Sequence, residues 1–206
     1  MKKTEIIFGI LLLISFILRF FLVPGGIILS VFSLSILALL YQVFGIVIFN
    51  NIKIRNLFKK ESFRGVSAIQ LIGSVGVGFG LSMVCIGVLY KLQNWPGANF
   101  TTIVGLSIII LLTLITFIEY LKSKRNYFSR ILKRVVLFGI FGFVFLSLNS
   151  MSITKIEYRN HPDYLKALEN YLNDTTNDTL KEKMEYEYLK TFMSEEELKL
   201  YHEYNN

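Results

Sequence analysis

The chain alternates apolar runs of about 20 residues, the length that crosses a bilayer core, with short loops rich in lysine and arginine. One turn occurs twice. Arg19-Phe-Phe-Leu-Val-Pro24-Gly25-Gly26 is repeated 72 residues later as Lys91-Leu-Gln-Asn-Trp95-Pro96-Gly97-Ala98. Each copy sets one cation five residues before a Pro-Gly pair, with long apolar runs on both sides. Strand edges cannot satisfy their backbone in lipid, so the elements between the turns are expected to be helices. The expectation is an all-α, polytopic helical membrane protein built on a repeated transmembrane hairpin.

Five spans are expected, at about Ile6–Val23, Ile27–Phe49, Val66–Tyr90, Phe100–Leu121 and Val135–Met151. They form two parallel-repeat hairpins, related by an axis along the membrane normal, plus one further span. Residues 1–149 carry fifteen Lys and Arg against Glu5, Glu61 and Glu119, whereas residues 150–206 carry seven against twelve acids. The basic excess sits in the loops 50–65 and 122–134 and at Lys2 and Lys3, where membrane topology explains it and nucleic acid is not implied. By the positive-inside rule the N-terminus and basic loops face the cytoplasm of a bacterial inner membrane, and both Pro-Gly turns face out. An odd number of spans then leaves the tail outside. The signal-like start, Met-Lys-Lys before Ile6–Leu18, reads as a retained first span because Arg19 and a second apolar run follow.

Residues 152–206 form an acidic tail of two or three short amphipathic helices. His161-Pro162 opens one, with Tyr164, Leu165, Leu168, Tyr171 and Leu172 on a shared face. Thr179–Glu182 and Ser194–Glu197 both have capping-box spacing. In the third span, Gly76 and Gly80 form a G-x-x-x-G packing pair, and Ser74, Gly78 and Ser82 form a second row of small residues.

Residues for catalysis are few. The histidines, His161 and His202, lie in the tail, and the lone Cys85 sits within an apolar run. No metal-ligand spacing, nucleophile constellation or phosphate-binding loop is present, so neither enzyme activity, a cofactor nor a small-molecule ligand is expected. Ionisable groups within or at the ends of spans are functional suspects by default, which singles out Arg19, Lys91 and Glu119. Glu119 stands three residues before Lys122 and is read as its ion-pair partner. Arg19 and Lys91 lie close enough to their turns to snorkel to the outer headgroups. The middles of spans 2, 4 and 5 hold no acid of the kind a proton-driven motor needs.

The segment Leu89-Tyr-Lys91-Leu-Gln-Asn-Trp95-Pro96-Gly97-Ala98, followed by Val104-Gly105-Leu106, resembles the two-helix N-terminal unit of the gliding-motility stator L subunit (GldL) of Bacteroidota. The clear copy covers about residues 80–121, and residues about 10–48 resemble it as a degenerate copy. The resemblance implies that Lys91 takes the place of the family's membrane lysine and that Trp95, Pro96 and Gly97 form the outer turn. Arg19, Pro24 and Gly25 are the second copy of that turn. Asn94 stands where the family has histidine, and Ile108 and Ile109 occupy the stretch where it carries a glutamate. The expectation is a non-enzymatic membrane scaffold or accessory subunit that presents its acidic tail to a partner. The partners expected are the lipid bilayer and further copies or other membrane subunits. An ion-conducting or motor-type subunit, completed by a partner chain, is the alternative.

Overall fold

The structure, a computed structural model, describes residues 2–123 and 126–205. Lys124 and Arg125 of the second basic loop lie outside the described residues. The chain is all-helical among them and divides into two compact units, Met1–Ser150 and Met151–Asn206.

The first unit contains α1 (Lys2–Phe20), α2 (Gly26–Asn50), α3 (Ala68–Leu92), α4 (Ala98–Ser123) and α5 (Asn126–Ser147). Two short 3-10 turns, Ile54–Asn56 and Lys60–Phe63, lie in the loop between α2 and α3. Helix α3 is central and packs against α2, α4 and α5, while α1 leans on α2. It starts at a capping box, in which Ser67 Oγ accepts from the Gln70 amide and the Gln70 side chain accepts from the Ser67 amide.

The core is assembled from glycines as much as from large side chains. A Cβ on Gly78 would lie 2.6 Å from the Tyr41 carbonyl oxygen and 3.2 Å from Gly45 Cα, so α2 and α3 meet backbone to backbone. On the other side of α3, Gly76 faces Leu112, Gly80 faces Ile109 and Gly105, and Gly87 faces Thr102. The two rows of small residues in α3 thus serve different neighbours within the same chain. Leu34, Leu37, Tyr41, Val77, Leu81, Val84 and Ile109 fill the space between these close approaches.

The outward faces are just as apolar. Ile10, Leu13, Ile17, Ile72, Phe79, Ile110, Leu114, Leu137, Ile140 and Phe143 are all exposed, far beyond what a soluble monomer leaves uncovered. Helices α2, α3 and α4 are each long and apolar enough to cross a membrane, which marks the chain as a membrane protein.

Helices α1 and α5 differ from the expected spans. The expected fifth span, Val135–Met151, instead ends at Ser147, and a separate helix α6 (Ser150–Glu157) follows Leu148 and Asn149. Residues 126–134, expected as loop, belong to α5. Arg130, Lys133 and Arg134 therefore lie inside the helix, and its charge-free part, 135–147, rises only about 20 Å. In α1 the charge-free part, 6–18, is equally short, because Glu5 and Arg19 lie within the helix. A fourth crossing counts on length and composition only if α5 and α6 form one broken span.

The second unit contains α6 from Met151 onward, α7 (Pro162–Asn173), α8 (Asp178–Leu189) and α9 (Glu195–Asn205). His161 is the N-cap residue of α7, with Pro162 in its first turn. Helix α8 is capped at Asn177, two residues before the Thr179 cap read from sequence. The Asn177 side chain accepts from the amides of Thr179 and Leu180, and an Asn at this position is the stronger cap. The Ser194–Glu197 box forms as its spacing requires, with Ser194 N donating to Glu197 at 2.8 Å. That bond and one from the Ser194 hydroxyl hold the Glu197 carboxyl below its usual range.

Tyr158, Tyr164, Tyr188 and Phe192 stack as an aromatic ladder, with successive ring centroids 4.8–5.5 Å apart. Burial, then the neighbouring Tyr188, pushes the Tyr158 and Tyr164 hydroxyls above the ordinary tyrosine value of 10.0. A raised pKa means that folding favours the neutral phenol. The resulting stability is complete below pH 10 and is lost as pH rises through the folded-state values. Residues 151–206 should accordingly become protease-sensitive above pH 10, and Tyr158→Phe should remove part of that alkaline loss. Cleavage rates independent of pH between 9 and 11 would contradict the ladder.

Candidate functional site

The two repeated turns have the same hydrogen bonds in the same register. In the first, Leu22 N donates to Arg19 O at 3.1 Å and Val23 N to Leu18 O at 2.8 Å. In the second, Asn94 N donates to Lys91 O at 3.3 Å and Trp95 N to Tyr90 O at 2.9 Å. This pair of bonds is the Schellman helix stop, with its left-handed residue at Leu22 (φ 56°) and Asn94 (φ 52°). Proline follows in both, and Gly25 (φ 90°) and Gly97 (φ 82°) supply the second positive φ. The next helix then starts with Leu29 N on Gly25 O and Thr101 N on Gly97 O, both at 2.9 Å. Leucine at the left-handed position costs on the order of 1 kcal/mol that asparagine, at the matching place, largely avoids.

The cations that precede these turns are buried. Arg19 is 7% exposed and Lys91 is 4% exposed. Arg19 Nη1 donates to Ser30 Oγ at 2.7 Å on α2, and Nη2 donates to Leu92 O at 2.9 Å at the end of α3. One guanidinium thus fastens the first hairpin to the second, at a helix C-terminus whose dipole favours a cation. Lys91 Nζ donates to Asn99 Oδ1 at 2.7 Å, which closes the second hairpin across its own turn. Neither side chain snorkels outward, the behaviour that position alone suggested. Pro24, Gly25, Trp95, Pro96 and Gly97 form the exposed rim. The Trp95 ring meets Tyr90 edge-on at 5.4 Å, an aromatic pair of the kind found at membrane interfaces.

A second polar cluster, at the opposite end of α1, was not recognised from sequence. Glu5 Oε1 and Oε2 accept from Arg134 Nε at 2.5 Å and Nη2 at 2.6 Å, and Tyr41 donates to Oε1 at 2.7 Å. The side chains of Arg134 and Glu5 are 15% and 13% exposed. The Arg134 guanidinium also stands 5.7 Å over the Phe49 ring. Three helices, α1, α2 and α5, converge on this one carboxylate. A signal was available. Glu5 is one of three acids among residues 1–149, beside fifteen basic residues, and an acid so outnumbered at a membrane boundary calls for a partner.

A third network ties α2, α3 and α5. Asn50 Nδ2 donates to Ser74 Oγ at 2.8 Å, Ser74 Oγ lies 3.0 Å from the Tyr127 hydroxyl, and Tyr127 donates to Gln70 O at 2.7 Å. Among the described residues, no group of three His, Cys, Asp or Glu is placed to hold a metal ion. The polar groups near both ends of the bundle are engaged chiefly in joining one helix to another. Compared with known protein families, curated proteins and solved structures, the chain matches none.

Proposed function

We propose that the chain is a non-enzymatic integral membrane scaffold or accessory subunit, built on two hairpins like those of the gliding-motility stator L subunit. The observation that carries this reading is the use of the buried charges. Arg19 bridges the two hairpins, Lys91 closes the second turn, and Glu5 gathers α1, α2 and α5. Charges tied into the framework in this way rigidify a bundle.

The same pairing supports five crossings. Helices α1 and α5 are each too short in their charge-free part to span alone. Glu5 and Arg134 neutralise one another, Arg19 is met by a hydroxyl and a carbonyl, and the exposed Lys133 is long enough to reach the headgroups. With the basic segments in the cytoplasm, both Pro-Gly turns and the acidic tail lie outside a bacterial inner membrane. Further copies or other membrane subunits are the partners in this reading.

Native mass spectrometry of the protein in lipid nanodiscs tests it. A defined multimer or a co-purifying membrane subunit is expected, and Lys91→Ala should reduce its recovery severalfold. A bare monomer, or a Lys91→Ala variant with unchanged abundance and partner recovery, would contradict the proposal. Proton flux through liposomes that hold this chain alone would favour a conducting subunit instead.

A further inference from the structure

Helices α1 and α5 meet at their ends and stand apart between. At one end is the Glu5–Arg134 pair, and at the other Phe16 packs against Phe141 and Phe145 with centroids 5.8 and 5.5 Å apart. Between these closures runs a groove of about 230 Å³, lined by Gly9, Ile10, Leu13, Phe16, Leu137 and Phe141. It continues, through the shared residues Ile6, Gly9, Leu137 and Phe138, into a wider recess of about 370 Å³ whose polar members are Glu5, Tyr41, Lys133 and Arg134. The groove is open at Gly9, where an added Cβ would have nothing within 4 Å.

The groove has the dimensions and polarity of one lipid in one leaflet. From Glu5 to Phe16 is eleven residues of α1, about 16 Å of rise, or half of the roughly 30 Å hydrocarbon core. Its walls are aliphatic and aromatic, and its mouth is at the basic end. Arg134 is already engaged by Glu5, so the mouth's uncompensated charge is the exposed Lys133, with Lys3 of the first turn of α1 at the same end. A basic recess between helices at the cytoplasmic boundary suits an anionic headgroup. A helix from another chain fits less well. At about 10 Å in diameter it would have to part α1 from α5 and break the ion pair that joins them.

We propose that this groove holds one acyl chain of an anionic phospholipid from the cytoplasmic leaflet, with the headgroup phosphate against Lys133. The inference rests on α1 and α5 lying in the bilayer, as in the reading above. The test is native mass spectrometry of protein released from nanodiscs made of phosphatidylglycerol and phosphatidylcholine in equal parts. The wild type should retain one phosphatidylglycerol per chain, about tenfold over phosphatidylcholine. Gly9→Leu, which sends a side chain into the groove from a position whose Cβ meets nothing within 4 Å, should lower retention of both lipids at least fivefold. Lys133→Gln should keep a bound lipid and abolish the headgroup preference. Retention by Gly9→Leu equal to wild type, or a preference that survives Lys133→Gln, would overturn the proposal. So would a wild type that holds no lipid but cross-links between chains through α1 and α5. Protein that alkaline carbonate strips from membranes would instead refute the membrane reading beneath it, so the two failures are distinct.

Discussion

Gly78→Leu is expected to prevent the bundle from forming, and Gly78→Ala to destabilise it by about 2 kcal/mol. The Cβ of even an alanine would lie 2.6 Å from the Tyr41 carbonyl oxygen, and the nearby obstacles are backbone atoms of α2. Backbone cannot rotate aside as a flexible side chain can, so the helices must separate. Separation would also pull Asn50 from Ser74, the hydrogen bond across the same seam. Gly139→Ala is the control. Its nearest neighbour would be Ile109 Cδ1 at 3.9 Å, so it should be neutral within about 1 kcal/mol. Unfolding by sodium dodecyl sulfate in mixed micelles, followed by circular dichroism, distinguishes the pair. Equal midpoints for Gly78→Ala and Gly139→Ala would contradict the packing of α2 on α3.

Separating Glu5 from Arg134 is expected to cost about 3 kcal/mol, whichever partner is replaced. The size comes from the charge left behind. With Arg134→Gln, the Glu5 carboxylate stays 13% exposed between apolar helices and keeps only Tyr41 among its described donors. With Glu5→Gln, the guanidinium is stranded in the same place. The double variant removes both charges and should lose much less than the sum of the singles, giving a coupling of more than about 1 kcal/mol in a double-mutant cycle. Additive losses would mean that the two side chains do not meet in the membrane. Tyr41→Phe removes one hydrogen bond to a charged group and should cost roughly 1.5 kcal/mol.

How far the sequence could be read follows from where the information lies. The Pro-Gly turns were legible because a Schellman stop followed by proline is local chemistry, written within eight residues. The helices between them were legible because lipid leaves few alternatives. The small-residue rows of α3 were visible too, but spacing could not say that Gly78 would meet Gly45 while Gly80 met Gly105. Glu5 and Arg134 are 129 residues apart, and no local pattern records such a meeting. The end of α5 at Ser147 was missed because the apolar count runs on through Leu148 to Met151, and Asn149 and Ser150 divide it more sharply than a hydropathy average shows. Arg19 stands close enough to its turn to reach the outer headgroups, and spacing says no more than that. Which way the side chain turns depends on Ser30 and on Leu92, 73 residues away, and no local pattern records that.

In the proposed topology, two hairpins and a fifth crossing put both Pro-Gly turns and the tail on one side of the membrane, with the basic loops on the other. Labelling of single cysteines with a membrane-impermeant maleimide tests it most directly, on a background where the buried Cys85 is changed to alanine. Val23→Cys, Trp95→Cys and Thr175→Cys should react in intact spheroplasts, and Phe58→Cys only after lysis. If Thr175→Cys reacted only after lysis while both turns reacted before it, α5 would not cross. If the two turns reacted from opposite sides, the paired-hairpin arrangement itself would be wrong.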